Sequence, residues 1–218
     1  MGLQILFTVP RAGILAMTAL LAGGVATPAR AQDVPASLAS RLRSTLSLDV
    51  SLGGATSLFG GVTDPGHGTF AVALHTRVPL VVRSRLQLDY LAGLVPVELA
   101  IGTRVAGAGS LGSALQPERV FGAGVDGLGL VAHPRGGDRW HPYVGIAGGV
   151  RLFERPVPDP RGTRFNFSAD FGAGVAVRLA PRRWLAASVA LHHLSNGGLG
   201  AANPSYNGFN LTLSLARR

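Results

Sequence analysis

The chain has 218 residues, 47% of them hydrophobic and only 14% charged, with 31 Gly and no Cys. Its 20 basic residues are all Arg and outnumber 11 acidic ones, for a formal net charge of +9. Zero Cys excludes a disulfide-stapled scaffold, and Arg residues scattered singly rather than in stripes argue against nucleic acid as the partner.

The first segment reads as an export signal rather than as structure. Arg11 supplies positive charge, Gly13 to Ala26 is apolar, and Ala29-Arg30-Ala31 offers a small-x-small cleavage site. At about 14 residues the apolar stretch is short of the roughly 20 that a transmembrane helix needs. Residues 1–31 are therefore expected to be a cleaved signal peptide, and residues 32–218 a single exported domain beginning at Gln32. After residue 31 no apolar run reaches about 18 residues, so no helix is expected to span a membrane. Mean hydropathy is nevertheless positive, at +0.31. A hydrophobic, Gly-rich, exported chain without a helical span points to a β-barrel in the outer membrane of a Gram-negative cell. There, Arg at loops and strand ends suits anionic lipid phosphates, which the planar guanidinium pairs bidentately. For any one Arg, solvated surface charge is the plainer reading.

Period-two alternation recurs along the chain, as a strand with one apolar face requires. Leu46, Leu48, Val50 and Leu52 interleave with Thr45, Ser47, Asp49 and Ser51. Phe70, Val72 and Leu74 alternate with Ala71, Ala73 and His75, and Leu86, Leu88 and Tyr90 with Gln87 and Asp89. Phe121 to Val131 is Gly-rich and weaker, and Val144, Ile146, Val150 and Leu152 share one face of the next run. Phe165, Phe167, Phe171, Val175 and Val177 oppose Asn166, Ser168, Asp170 and Arg178. Leu185, Val189 and Leu191 lead into His193, and Phe209, Leu211, Leu213 and Leu215 oppose Asn210, Thr212 and Ser214.

Between these eight segments, long and short connections alternate. Residues 53–68, 97–119, 154–163 and 196–206 form the long set; residues 80–84, 133–139 and 180–182 form the short one. Short periplasmic turns and long external loops are the rule in bacterial outer-membrane barrels. The fold class expected is all-β: an eight-stranded antiparallel up-and-down transmembrane β-barrel. Small polar alternates suit an interior that, at eight strands, is just wide enough for side chains, and a porin is excluded on size.

One constellation carries chemistry. On an extended strand residues two apart share a face, so His193 and Ser195 are neighbours, and parity puts them with Leu185, Val189 and Leu191 on the apolar face. Asn207 falls on the apolar face of the last strand, across the 196–206 connection. In a barrel that face meets lipid, where polar groups are costly. The bland explanation is an interfacial depth, at which the cost falls to about 0–1 kcal/mol. The functional one is an enzyme acting on membrane lipid: His193 as general base, Ser195 as nucleophile on an acyl ester, and Asn196 with the amides of Gly197 and Gly198 stabilising the oxyanion.

The run His193-Leu194-Ser195-Asn196-Gly197-Gly198-Leu199, followed by Asn203-Pro204, resembles the signature of the lipid A 3-O-deacylase family. The match covers about the last 30 residues, with a fainter echo from Asp89-Tyr90 to Pro96-Val97. The resemblance implies an eight-stranded barrel with a lipid-facing Ser-His-Glu site that removes the acyl chain at position 3 of lipid A, with lipopolysaccharide as substrate at the outer leaflet. It matches His193 to the base, Ser195 to the nucleophile and Asn196 to an oxyanion contributor. The family's acidic residue falls on Asn207. An amide orients the ring without contributing charge, so Asn207 is either a weakened site or a working orienter.

His192 and His75 have inward parity, as does Asp170, while Glu98 and Glu154 fall in expected external connections. The remaining His residues lack metal-ligand spacing, so neither a metal nor another cofactor is expected. Gly102 to Gly112 opens no helix and reads as a loop. The rival to a hydrolase is a non-catalytic small barrel with a structural or adhesive role.

Overall fold

The computed structural model describes residues 44–56, 67–105, 115–136, 139–158 and 160–217; the expected signal peptide lies outside them. They form eight strands: β1 (Thr45–Ala55), β2 (Gly68–Val82), β3 (Leu86–Val105), β4 (Leu115–Pro134), β5 (Trp140–Val157), β6 (Thr163–Ala180), β7 (Arg183–Ser195) and β8 (Ser205–Arg217). Each pairs antiparallel with the next in sequence. β8 returns to β1, in register from Leu46↔Arg217 to Ala55↔Gly208, and closes the barrel. The fold is the eight-stranded antiparallel barrel expected from the alternation.

The two faces of the sheet are inverted relative to a soluble protein. On β1, Leu46 and Leu52 are 59% and 61% exposed, while Ser47 and Asp49 between them are buried. β8 repeats the pattern, with Leu211, Leu213 and Leu215 outward and Asn210 and Ser214 buried. An apolar exterior around a polar interior is the arrangement of barrels that stand in hydrocarbon.

Strands β3, β4 and β5 run furthest beyond what the alternation indicates. β3 continues to Val105 and β4 begins at Leu115, so most of the connection expected over residues 97–119 is strand. The Gly102–Gly112 stretch, expected as a loop, is strand through Val105, and its remainder lies outside the described residues. β5 likewise extends to Val157 and takes Glu154 out of the expected external segment. Glu98 is not in an external connection either, and the register shift between Val95 and Glu98 gives the physical reason. A bulge reverses the inward–outward parity of the residues beyond it. Glu98 therefore points into the barrel and is 2% exposed.

The interior holds an ionic network rather than small side chains alone. Asp49 Oδ2 lies 2.6 Å from His75 Nδ1, and His75 Nε2 lies 2.9 Å from Asp126 Oδ2. Arg151 joins Asp126 (2.8 Å) to Glu98 (2.5 Å). Beyond Glu98 lies His192, which is 2.9 Å from Asp170. Asp49 also hydrogen-bonds Ser214, so the network touches all eight strands. A cavity of about 160 Å³ lies against it. Buried charges persist only when paired and hydrogen-bonded, as here.

Candidate active site

β7 and β8 form a hairpin whose register sets His193 directly opposite Asn207 and Ser195 opposite Ser205. On the other side of β7, Ser195 pairs with Phe167 of β6. His193, Ser195 and Asn207 share the outward face with Val189, Phe209 and Leu211, which are 49%, 41% and 64% exposed. They differ from those neighbours in burial: Ser195 is 7% exposed and Asn207 8%.

The three side chains form one relay. His193 Nδ1 lies 2.7 Å from Asn207 Oδ1, and His193 Nε2 lies 2.9 Å from Ser195 Oγ. The amide oxygen can only accept, so Nδ1 carries the proton and donates it to Asn207. The Nε2 lone pair is thereby left for the Ser195 hydroxyl, which donates to it. This is the tautomer a general base requires, fixed here by an amide instead of a carboxylate. Among the described residues no carboxylate hydrogen-bonds His193: Asp170 is engaged with His192, and Glu98 with Arg151. Glu154 is on β5, where it pairs with Arg155.

The chain leaves β7 in a tight turn built on Asn196, which is 1% exposed. Its N–H donates to Asn203 Oδ1 (3.1 Å), its Nδ2 to the Ala202 carbonyl (2.8 Å), and its Oδ1 accepts the Gly198 N–H (2.9 Å). Gly197 and Gly198 have φ of +63° and +82°, the left-handed region that favours glycine. Of the oxyanion donors expected from sequence, the Asn196 amide group and the Gly198 N–H are thus held by the turn itself. The Gly197 N–H enters no hydrogen bond among the described residues, and it lies two residues beyond Ser195.

Two contributors were not assigned roles from sequence. Asn203, noted only within the motif, anchors the turn through the Asn196 backbone, and Phe167 forms its floor. A Cβ added to Gly197 would stand 3.0 Å from Phe167 Cδ2 and Cε2. The cross-strand register that brings Phe167 beside Ser195 has no signal in either segment alone. Of the other His residues, His133 lies 3.2 Å from Asp89, and His141 packs edge-on against Trp184.

A family model described as lipid A 3-O-deacylase (PagL) matches residues 129–216, a span that includes His193, Ser195 and Asn207. Among solved structures, the outer membrane enzyme PagL superposes with a TM-score of 0.54 at 14% identity, covering 77% of this chain and 97% of that one. Neisserial surface protein A gives a TM-score of 0.45 at 10% identity, covering 80% and 96%. No curated protein matches the chain. The structural likeness is one of fold, and the resemblance to the lipid A 3-O-deacylase family is shown over the segment that carries the Ser-His motif.

Proposed function

We propose that this chain is an outer-membrane esterase that removes the ester-linked acyl chain at position 3 of lipid A, with its site facing the outer leaflet. The observation that carries this reading is the relay Asn207–His193–Ser195 on the apolar outer face of the barrel. The relay lies at the end of β7 from which a long connection departs, and long connections are external in such barrels. An acyl ester at the outer leaflet would meet Ser195 without leaving the membrane.

In this scheme His193 Nε2 takes the Ser195 proton as Oγ bonds to the ester carbonyl carbon. The carbonyl oxygen becomes an oxyanion, for which the Gly197 N–H is the available backbone donor. Collapse breaks the bond to the sugar oxygen, which takes the proton back from the imidazolium and leaves as an alcohol. Water, deprotonated by the same imidazole, then releases the acyl group from Ser195 as a fatty acid. Asn207 holds the ring in orientation throughout but adds no negative charge beside the imidazolium.

The amide at position 207 is the one observation favouring a non-catalytic barrel of structural or adhesive role. Mass spectrometry of lipid A from a Gram-negative host expressing the chain separates the two readings, with Ser195→Ala alongside. A loss of one hydroxyacyl mass with the natural chain, absent with Ser195→Ala, is the expected result. An unchanged spectrum from a chain that is folded in the outer membrane would sink the hydrolase.

A further inference from the structure

The excess positive charge is gathered at one end of the barrel. The turn after β2 carries Arg83 and Arg85, that after β4 carries Arg135 and Arg139, and that after β6 carries Arg182, with Arg183 opening β7, all exposed. Arg217, near the end of β8, is exposed at the same end, where its strand pairs with the start of β1. None of these arginines forms an ion pair with a described carboxylate. Asp89, four residues along β3 from Arg85, turns inward and hydrogen-bonds Gln87 and His133. The opposite end is mixed in sign: there Arg155 is paired with Glu118 and Glu154.

Two features identify what such a collar would meet. It surrounds the barrel, with a contribution from every short turn and from the end of β8, whereas a docked protein would need one side. It is also continuous with the apolar exterior. Leu80, Leu86, Trp140 and Leu179, 51% to 59% exposed, stand beside the arginines on the same strands. A Trp at the edge of an apolar band is characteristic of a membrane–water interface. A ring of guanidinium groups immediately beyond such a band lies at headgroup depth, where each can grip a phosphate with two N–H donors.

We infer that this end of the barrel is a binding collar for the anionic headgroups of glycerophospholipids in the leaflet it faces. The inference rests on the reading of the barrel as a membrane protein and is independent of hydrolysis. Electrostatic binding of this kind weakens with salt.

The test uses Ser195→Ala, so that no acyl chain is cleaved, folded into nanodiscs of equal parts phosphatidylcholine and phosphatidylglycerol. Lipids retained on the barrel after gentle extraction are then counted by native mass spectrometry. Severalfold enrichment of phosphatidylglycerol, falling as salt is raised, is expected. It should be lost when Arg83, Arg85, Arg139 and Arg182 are all changed to Gln, and kept when Arg119 and Arg155 at the other end are changed. Heat-modifiable gel migration establishes folding of each variant, and Arg83→Gln with Arg85→Gln alone, expected to reduce the enrichment partly, replaces the fourfold variant if that one does not fold. No enrichment in the parent, or enrichment that survives both salt and loss of the collar, overturns the inference and leaves the arginines to solvent or an acidic protein.

Discussion

Asn207 is the residue on which the proposed chemistry turns. Its amide oxygen sets the correct tautomer of His193, so the loss relative to a carboxylate is one of charge, not of geometry. A hydrogen bond to a charged group is worth about 1–1.5 kcal/mol more than a neutral one, which corresponds to about a tenfold rate. Asn207→Asp, nearly isosteric at the 2.7 Å contact, should therefore raise kcat on lipid A by about tenfold with little change in KM. A loss of activity in that variant would mean that the amide itself is required. The pairing of His193 with Ser195 was legible because residues two apart on a strand must be neighbours. Asn207 was legible because its place on the apolar face of the last strand needs only local parity. The commitment of Asn196 to its own turn was not legible, since it depends on how the chain folds back from Ala202 and Asn203.

At the scale of the element, the turn after β7 sets the direction of the Gly197 N–H. Gly197→Ala would meet both a positive φ and the ring of Phe167, at a cost of about 1–2 kcal/mol for the backbone alone. The turn would shift to relieve it. The expected result is a fall of about tenfold or more in kcat, by the oxyanion-donor argument, with barrel migration on a gel unchanged. An unaltered kcat would remove Gly197 from the oxyanion site. The strands themselves were readable wherever lipid-type apolar residues alternate with polar ones, as in β1, β6 and β8. They were not readable beyond the apolar band. From Glu98 to Val105 a bulge has already changed the parity, and in Glu154 to Val157 two charged residues adjoin a proline, so period two fails although the pairing continues.

For the whole molecule, backbone pairing closes the ring of strands, and charge pairing fills its interior. Arg151 is 4% exposed and bridges Glu98 on β3 to Asp126 on β4. Arg151→Met keeps much of the volume but takes from buried Glu98 its close cation and leaves Asp126 with His75 alone, a change worth about 3–5 kcal/mol. The temperature at which the folded band converts to the unfolded one on a gel should fall markedly, and a barrel as heat-stable as the parent would show that the network is dispensable. None of this was visible in sequence beyond the inward parity of Asp49, His75, Asp170, His192 and Ser214, because which strand each side chain reaches across to depends on the register of the closed sheet. The Arg151–Glu98 pair and the relay also differ in reach along the chain: Arg151 and Glu98 are 53 residues apart, His193 and Asn207 only 14. The entropic cost of bringing two points together grows with the length of chain between them. The candidate site thus belongs to a single hairpin, whereas Glu98 and Arg151 lie on β3 and β5 and come together only with β4 in place between them. His192 and His193 are neighbours on β7, so one strand gives its inward face to the interior pairing and its outward face to the candidate site.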